Sequence, residues 1–147
     1  MWKRVGRPKK RALAAAAAVF ILALVCAGFT GCRKESEESA KVEDLAFTVV
    51  GEKDVPAGLS EILEQKREKP FKLTYADEED MYIVIGEGPQ KGGGYSVSVL
   101  ELYRTESSVV IRTELTGPEK GEASGTDLSY PVLIVKTAYR EEPVVFQ

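Results

Sequence analysis

The first 31 residues read as an address and not as fold, so whatever this chain builds must come from the 116 residues that follow. Six positive charges, Lys3, Arg4, Arg7, Lys9, Lys10 and Arg11, stand in the first eleven residues with no negative charge among them. Such a cluster keeps the front of an export signal on the cytoplasmic side. An uninterrupted apolar and small-residue run follows from Ala12 to Phe29, a little longer than an ordinary signal core and barely long enough to span a bilayer. The remainder is enough for one modest core and has no room for two.

The run ends at Phe29-Thr30-Gly31-Cys32, which resembles the bacterial lipobox. In that motif small residues before a Cys let a dedicated peptidase cut there once the thiol carries a diacylglyceryl group. Phe29 departs from the usual Leu of the motif. Cys26 competes poorly, because Val25 before it is too bulky for a position that requires a small residue. The resemblance makes Cys32 the lipidation site, and the acyl chains, of the palmitate kind, hold the protein on the bacterial cell membrane. Two chains, at about 0.8 kcal/mol per buried methylene, anchor where one would let go. A plain signal cut after Gly28 and an uncut membrane anchor are the alternatives. All three place the body of the protein outside the cytoplasm.

Processing changes the charge. Of 20 Lys and Arg, six leave with the leader, and the remaining 14 face 23 Asp and Glu that all lie downstream, a net of about −9. That surface argues against nucleic acid, whose phosphates require basic patches. Only Cys32 survives processing, so no disulfide forms within the mature chain. The chain has no His, which removes the commonest general base, the Ser-His and Cys-His nucleophile pairs and the commonest transition-metal ligand. Asp and Glu are scattered with surface-like spacing, and no two of them suggest a catalytic pair. The sequence therefore predicts no enzyme, no cofactor and no metal site.

Residues 32–43 are the lipidated Cys and a charged tether, too poor in bulky apolar side chains to fold. The domain is expected over 44–147. LAFTVV, 45–50, reads as a first strand from its β-branched and aromatic residues. Pro56 then opens a short amphipathic helix in which Leu59, Ile62 and Leu63 recur at helical spacing as far as Lys66.

The rest reads as strands. Phe71, Leu73 and Tyr75 alternate with Lys72 and Thr74, predicting a half-buried strand. The acidic run Asp77 to Asp80 is a turn, since it lacks the Gly and the spaced Glu of a calcium loop. MYIVI, 81–85, is apolar on both faces and suits an interior strand. Tyr95, Val97 and Val99 alternate with serines before Leu100 and Leu102 shift the apolar set, which implies a bulge or a crossing between layers. A polar turn at Thr105 to Ser107 leads to a hairpin partner carrying Val109, Ile111, Thr113 and Leu115. Tyr130-Pro131 opens VLIVK, and Val144 to Phe146 adds an edge. The fold expected is mainly β with one short helix, an antiparallel β-sandwich or open barrel of about six or seven strands.

The densest motif is the loop Gly86 to Tyr95, which ends in Gly92-Gly93-Gly94-Tyr95. Neither the dinucleotide fingerprint nor the Walker spacing fits it, and a strand follows where those motifs need a helix. One reading makes it a recognition loop projecting from a rigid scaffold. The other makes it a tight connection before Tyr95, whose ring fills the core. A second long loop, Thr116 to Asp127, is placed to lie beside it.

The strand MYIVI, the stretch Gly93-Gly94-Tyr95-Ser96-Val97, the polar hairpin, the linker near Pro118, and Leu128-Ser129-Tyr130-Pro131 before VLIVK together resemble the PrcB C-terminal domain family over about residues 80 to 137. Gly92 stands where that family usually has Thr. The family is named after a lipoprotein subunit that associates with and stabilises a secreted surface protease complex. The resemblance implies a non-catalytic accessory or interaction domain that binds an exported protease or another envelope protein, with Gly92, Gly93, Gly94, Tyr95, Tyr130 and Pro131 as its partner-binding residues. Two other readings stand beside it. One is a direct protease inhibitor, loosely similar to the chagasin type through a single Gly-Tyr pair. The other is a purely structural envelope protein.

Overall fold

Met81–Ile85 carries apolar side chains toward both sides, so a strand built from it must be covered twice. The computed structural model, which describes residues 39–120 and 125–147, meets that demand with three layers. Leader, Cys32 and most of the tether lie outside the described residues. In chain order the elements are β1 Glu43–Asp44, β2 Thr48–Val49, α1 Ala57–Lys66, β3 Pro70–Asp77, β4 Asp80–Glu87, β5 Gln90–Lys91, β6 Ser96–Arg104, β7 Val109–Thr116, β8 Leu128–Ser129, β9 Val132–Ala138 and β10 Val144–Phe146. Six of these strands are three residues or longer, and the other four are two-residue pairings.

One sheet has the order β2-β9-β4-β3 and the other β1-β6-β7-β10. Met81, Ile83 and Ile85 of β4 join Leu133 and Val135 of β9 against Leu102, Val109 and Ile111 of the second sheet. This is the interior of a sandwich. The opposite face of β4 presents Tyr82 and Val84, which with Ile134 receive Leu59 and Leu63 of α1. Both helix leucines are fully buried, and each buried side chain of this size stabilises the fold by about 1.5–3 kcal/mol. Pro56 is the residue just before the helix, and its carbonyl accepts from the amides of Leu59 and Ser60, so the missing N–H of Pro costs nothing.

β3 and β4 form a tight hairpin whose turn is Glu78-Glu79, with Glu78 in the left-handed region at φ 52°. The acidic run is thus a turn. Lys136 closes one end of it by pairing with Asp80 at 2.7 Å, and that ion pair holds the Lys136 amine above its ordinary value.

Three expectations change in detail. LAFTVV is not one strand. Its N-terminal flank pairs with β6 (Val42 N to Arg104 O, Leu45 N to Leu102 O), then the chain crosses to the other sheet, where Val50 N donates to Ile134 O. Leu45 is buried at the crossing, and the Thr137 hydroxyl holds it by donating to Ala46 O at 2.8 Å. Secondly, Val144–Phe146 is an edge strand, but it lies parallel to β7. It arrives from the other sheet, not through a hairpin, so its direction follows from the crossing. Thirdly, the phase shift in β6 is a bulge and not a change of layer. The register slips between Val99 and Glu101, Leu100 is expelled to 51% exposure, and Val97, Val99 and Leu102 all stay on the core side.

The β6–β7 turn is built on Thr105, which is buried. Its Oγ1 accepts from the amides of Ser107 and Ser108 and lies 2.9 Å from Ser108 Oγ. A polar side chain buried at a sheet end needs hydrogen bonds, and Thr105 finds them within its own turn.

Candidate interaction surface

The loop from Gly86 to Tyr95 gets its shape from glycines that do different jobs. Gly86 lies within β4 directly opposite Phe71, whose ring occupies the space a side chain at 86 would need. Gly88, Gly92 and Gly94 have φ of 68°, 86° and 83°, a region that L side chains rarely adopt. Gly93 is exposed and has no such φ. The middle glycine of the triplet is therefore the exposed one without a left-handed backbone, while its neighbours turn the chain.

The loop is tied to a second segment along its length. β5 pairs antiparallel with β8, Gln90 opposite Ser129 and Lys91 opposite Leu128. Gly92 N donates to Asp127 O at 2.7 Å, and Glu87 N donates to Pro131 O. Gly94 closes on Pro118, and the Tyr95 ring lies over Gly117. So the loop of 86–95 does lie beside the chain of 116–131, as expected from their glycine content; residues 121–124 of the second loop fall outside the description.

Tyr95 does not fill the core. It is half-buried, outside both core clusters, and its ring sits over a residue with no side chain of its own at the sandwich end. Its phase matches Val97 and Val99, but it lies beyond the last rung of the β6–β7 pairing, which is Ser96 opposite Thr116. Tyr130 is also half-buried and is oriented elsewhere, with the Arg67 guanidinium of the helix end 5.9 Å from its ring centre. Arg67 is held there by Glu52 at 2.8 Å. Pro131 carries the carbonyl that receives Glu87 N. The six residues singled out from the sequence thus fall on two adjoining segments, with Gly92 to Tyr95 on one and Tyr130-Pro131 on the other, joined by the β5/β8 ribbon.

Sequence reasoning missed Gly117 and Pro118 as partners of Tyr95 and Gly94, and missed Arg67 as the partner of Tyr130. A Gly-Pro pair just after an alternating strand was the available signal for the first. Nothing local signals the second, because Arg67 and Tyr130 meet only through the packing of α1.

A two-sheet β-domain with one outer helix and a doubled glycine loop at one end is the class that these elements define. Within it, the family model described as PrcB C-terminal matches residues 81–138. The match begins and ends one residue later than the likeness read from the sequence. It takes in β4, the glycine loop, the β6–β7 hairpin, both segments of the candidate surface and all of β9. No curated protein and no solved structure matches the chain significantly.

Proposed function

We propose that this chain is a lipid-anchored, extracytoplasmic accessory domain that binds an exported protein through its two joined loops, and that the protein it binds belongs to a protease complex. The observation that carries the reading is the loop pair itself. Residues 87–92 and 127–131 are fixed to each other by backbone hydrogen bonds and to the sandwich by β4 and β9, and Gly94 and Tyr95 close on Pro118 and Gly117. A rigid scaffold that presents exposed Gly93 and Leu128, the latter 55% exposed, loses little ordering entropy when a partner closes on it. The likeness of residues 81–138 to the PrcB C-terminal family supports a protease-complex accessory role. The leader and Cys32 support the anchor.

The test is metabolic labelling of the native host with a clickable fatty acid, followed by crosslinking on intact cells. The label should vanish in Cys32→Ser. An exported protease should be recovered with the wild type and lost with Gly93→Gln, a change at an exposed site where the backbone is not strained. No label would return Cys32 to the end of an ordinary signal or anchor. Recovery undiminished by Gly93→Gln would take the loop out of the account.

A further inference from the structure

β6 is nine residues long, and among the described residues only its C-terminal end is covered on the side away from β7. β1 reaches Tyr103 and Arg104, and Leu45 N reaches Leu102 O; beyond that, Ser96–Leu100 has no partner on that edge among the described residues. Five residues of strand are about 16 Å of backbone, with roughly half of their N–H and C=O groups directed outward.

Exposed strand edges normally carry charge, Pro or cover to prevent pairing. The other edges here are short or charged, β2 and β10 being two and three residues long. β3 bears Pro70, Lys72 and Asp77, and the part of β7 beyond the reach of Gln147 bears Glu114. Ser96–Leu100 bears none, and reads Ser-Val-Ser-Val-Leu. Its inward residues, Val97 and Val99, are partly buried against the sandwich core, while Ser96 and Ser98 are small and exposed. Ser98 lies directly opposite Glu114, which is exposed and has no ion-pair partner among the described residues. A lysine or arginine on an added strand reaches that carboxylate across the short serine side chain.

We propose that the free edge of β6, Ser96–Leu100, seats an extended, lysine- or arginine-bearing segment of a protein partner, added as a strand end to end with β1. The proposal rests on the interaction reading above and deepens it by naming the chemistry of the partner. Backbone hydrogen bonds supply the affinity, aliphatic residues at alternate positions meet the opening beside Val97 and Val99, and basic residues between them meet Glu114. A second copy of this chain fits less well, since the mature chain carries a net charge of about −9 and each copy would bring its own Glu114.

The experiment uses the full chain in mild detergent and a short synthetic peptide that alternates valine with threonine and lysine. Amide hydrogen exchange should show fast exchange at some residues of 96–100 in the free protein and protection there when peptide is added. N-methylation of every second peptide residue, in the one of the two phases that points at β6, should weaken binding by roughly tenfold or more, as expected for the loss of about two backbone hydrogen bonds. The other phase should leave binding intact. Replacing lysine by glutamate in the peptide should weaken binding roughly three- to fivefold, and Glu114→Gln should erase that difference. Slow exchange across 96–100 without peptide, protection that rises with protein concentration alone, or equal effects of both N-methylation phases would each overturn the proposal. None of these outcomes bears on the Gly93→Gln crosslinking result, so the two readings fail separately.

Discussion

Gly86→Ala is a one-methyl change in the central strand of the helix-covered sheet, and its effect depends almost entirely on one neighbour. The added Cβ overlaps Phe71 Cε1 and lies 2.7 Å from Cδ1 and Cζ, closer than side-chain carbons approach. Phe71 and Gly86 are direct cross-strand partners and belong to a row, with Leu73 opposite Val84 and Tyr75 opposite Tyr82, that forms the floor under α1. The ring must swing away or the strands must part, an overpacking cost of about 1–3 kcal/mol. Phe71→Ala alone should cost about 2–3 kcal/mol, below the range for a fully buried ring because Phe71 is half-buried. Once the ring is gone the sign reverses. Alanine fits the vacated space and is favoured over glycine in a strand interior by about 0.5–1 kcal/mol, so Gly86→Ala should stabilise the Phe71→Ala background. The expected coupling is about 1.5–4 kcal/mol. Urea unfolding of the four proteins followed by far-ultraviolet circular dichroism measures it. Equal cost of Gly86→Ala in both backgrounds would refute the argument that the glycine is there to admit the ring.

Leu59→Ala empties the centre of the helix–sheet contact and should cost about 2–5 kcal/mol in the same urea assay. Thr105→Val keeps the volume of the turn residue but leaves the Ser107 and Ser108 amides without their acceptor, for a loss of about 1–3 kcal/mol, and exchange of those two amides should quicken. Gly94→Ala combines a left-handed backbone with a 3.0 Å approach to Pro118 Cβ and should cost about 1–2 kcal/mol, whereas Gly93→Ala, at an exposed position without a left-handed backbone, should cost less. The Lys136 amine is raised above 10.5 by its hydrogen bond to Asp80. A raised amine contributes stability that is fully present below its unfolded value and is lost as pH rises through the folded one. The urea midpoint should therefore fall above about pH 10.5, and less so in Lys136→Met.

Much of the fold could be read along the chain because its signals are local. Pro56 with Leu59 and Leu63 marked the helix, the double-faced MYIVI marked the covered strand, and the phase slip at Leu100 marked an irregularity that the structure resolves as a bulge and not a crossing, each from the periodicity of a single segment. The candidate surface was half legible. Glycine content picked out both loops and suggested that they adjoin, but the roles of Tyr95 and Tyr130 depended on Gly117 and Arg67, which are distant in sequence.

By itself the sequence determined the acidic excess downstream of residue 31, the absence of histidine, and the order of strand, helix and strands, and it motivates the proposed export and anchoring at Cys32. These follow from composition and from periods of two and 3.6, which a short segment carries alone. Only the tertiary structure decided that LAFTVV divides between two sheets, that β10 runs parallel to β7, that Gly93 is the exposed glycine of the triplet without a left-handed backbone, and that Ser96–Leu100 has no partner on one edge among the described residues. Each of these depends on which distant segment reaches a strand's backbone groups first, and hydrogen bonds of that kind leave no period in the chain that makes them.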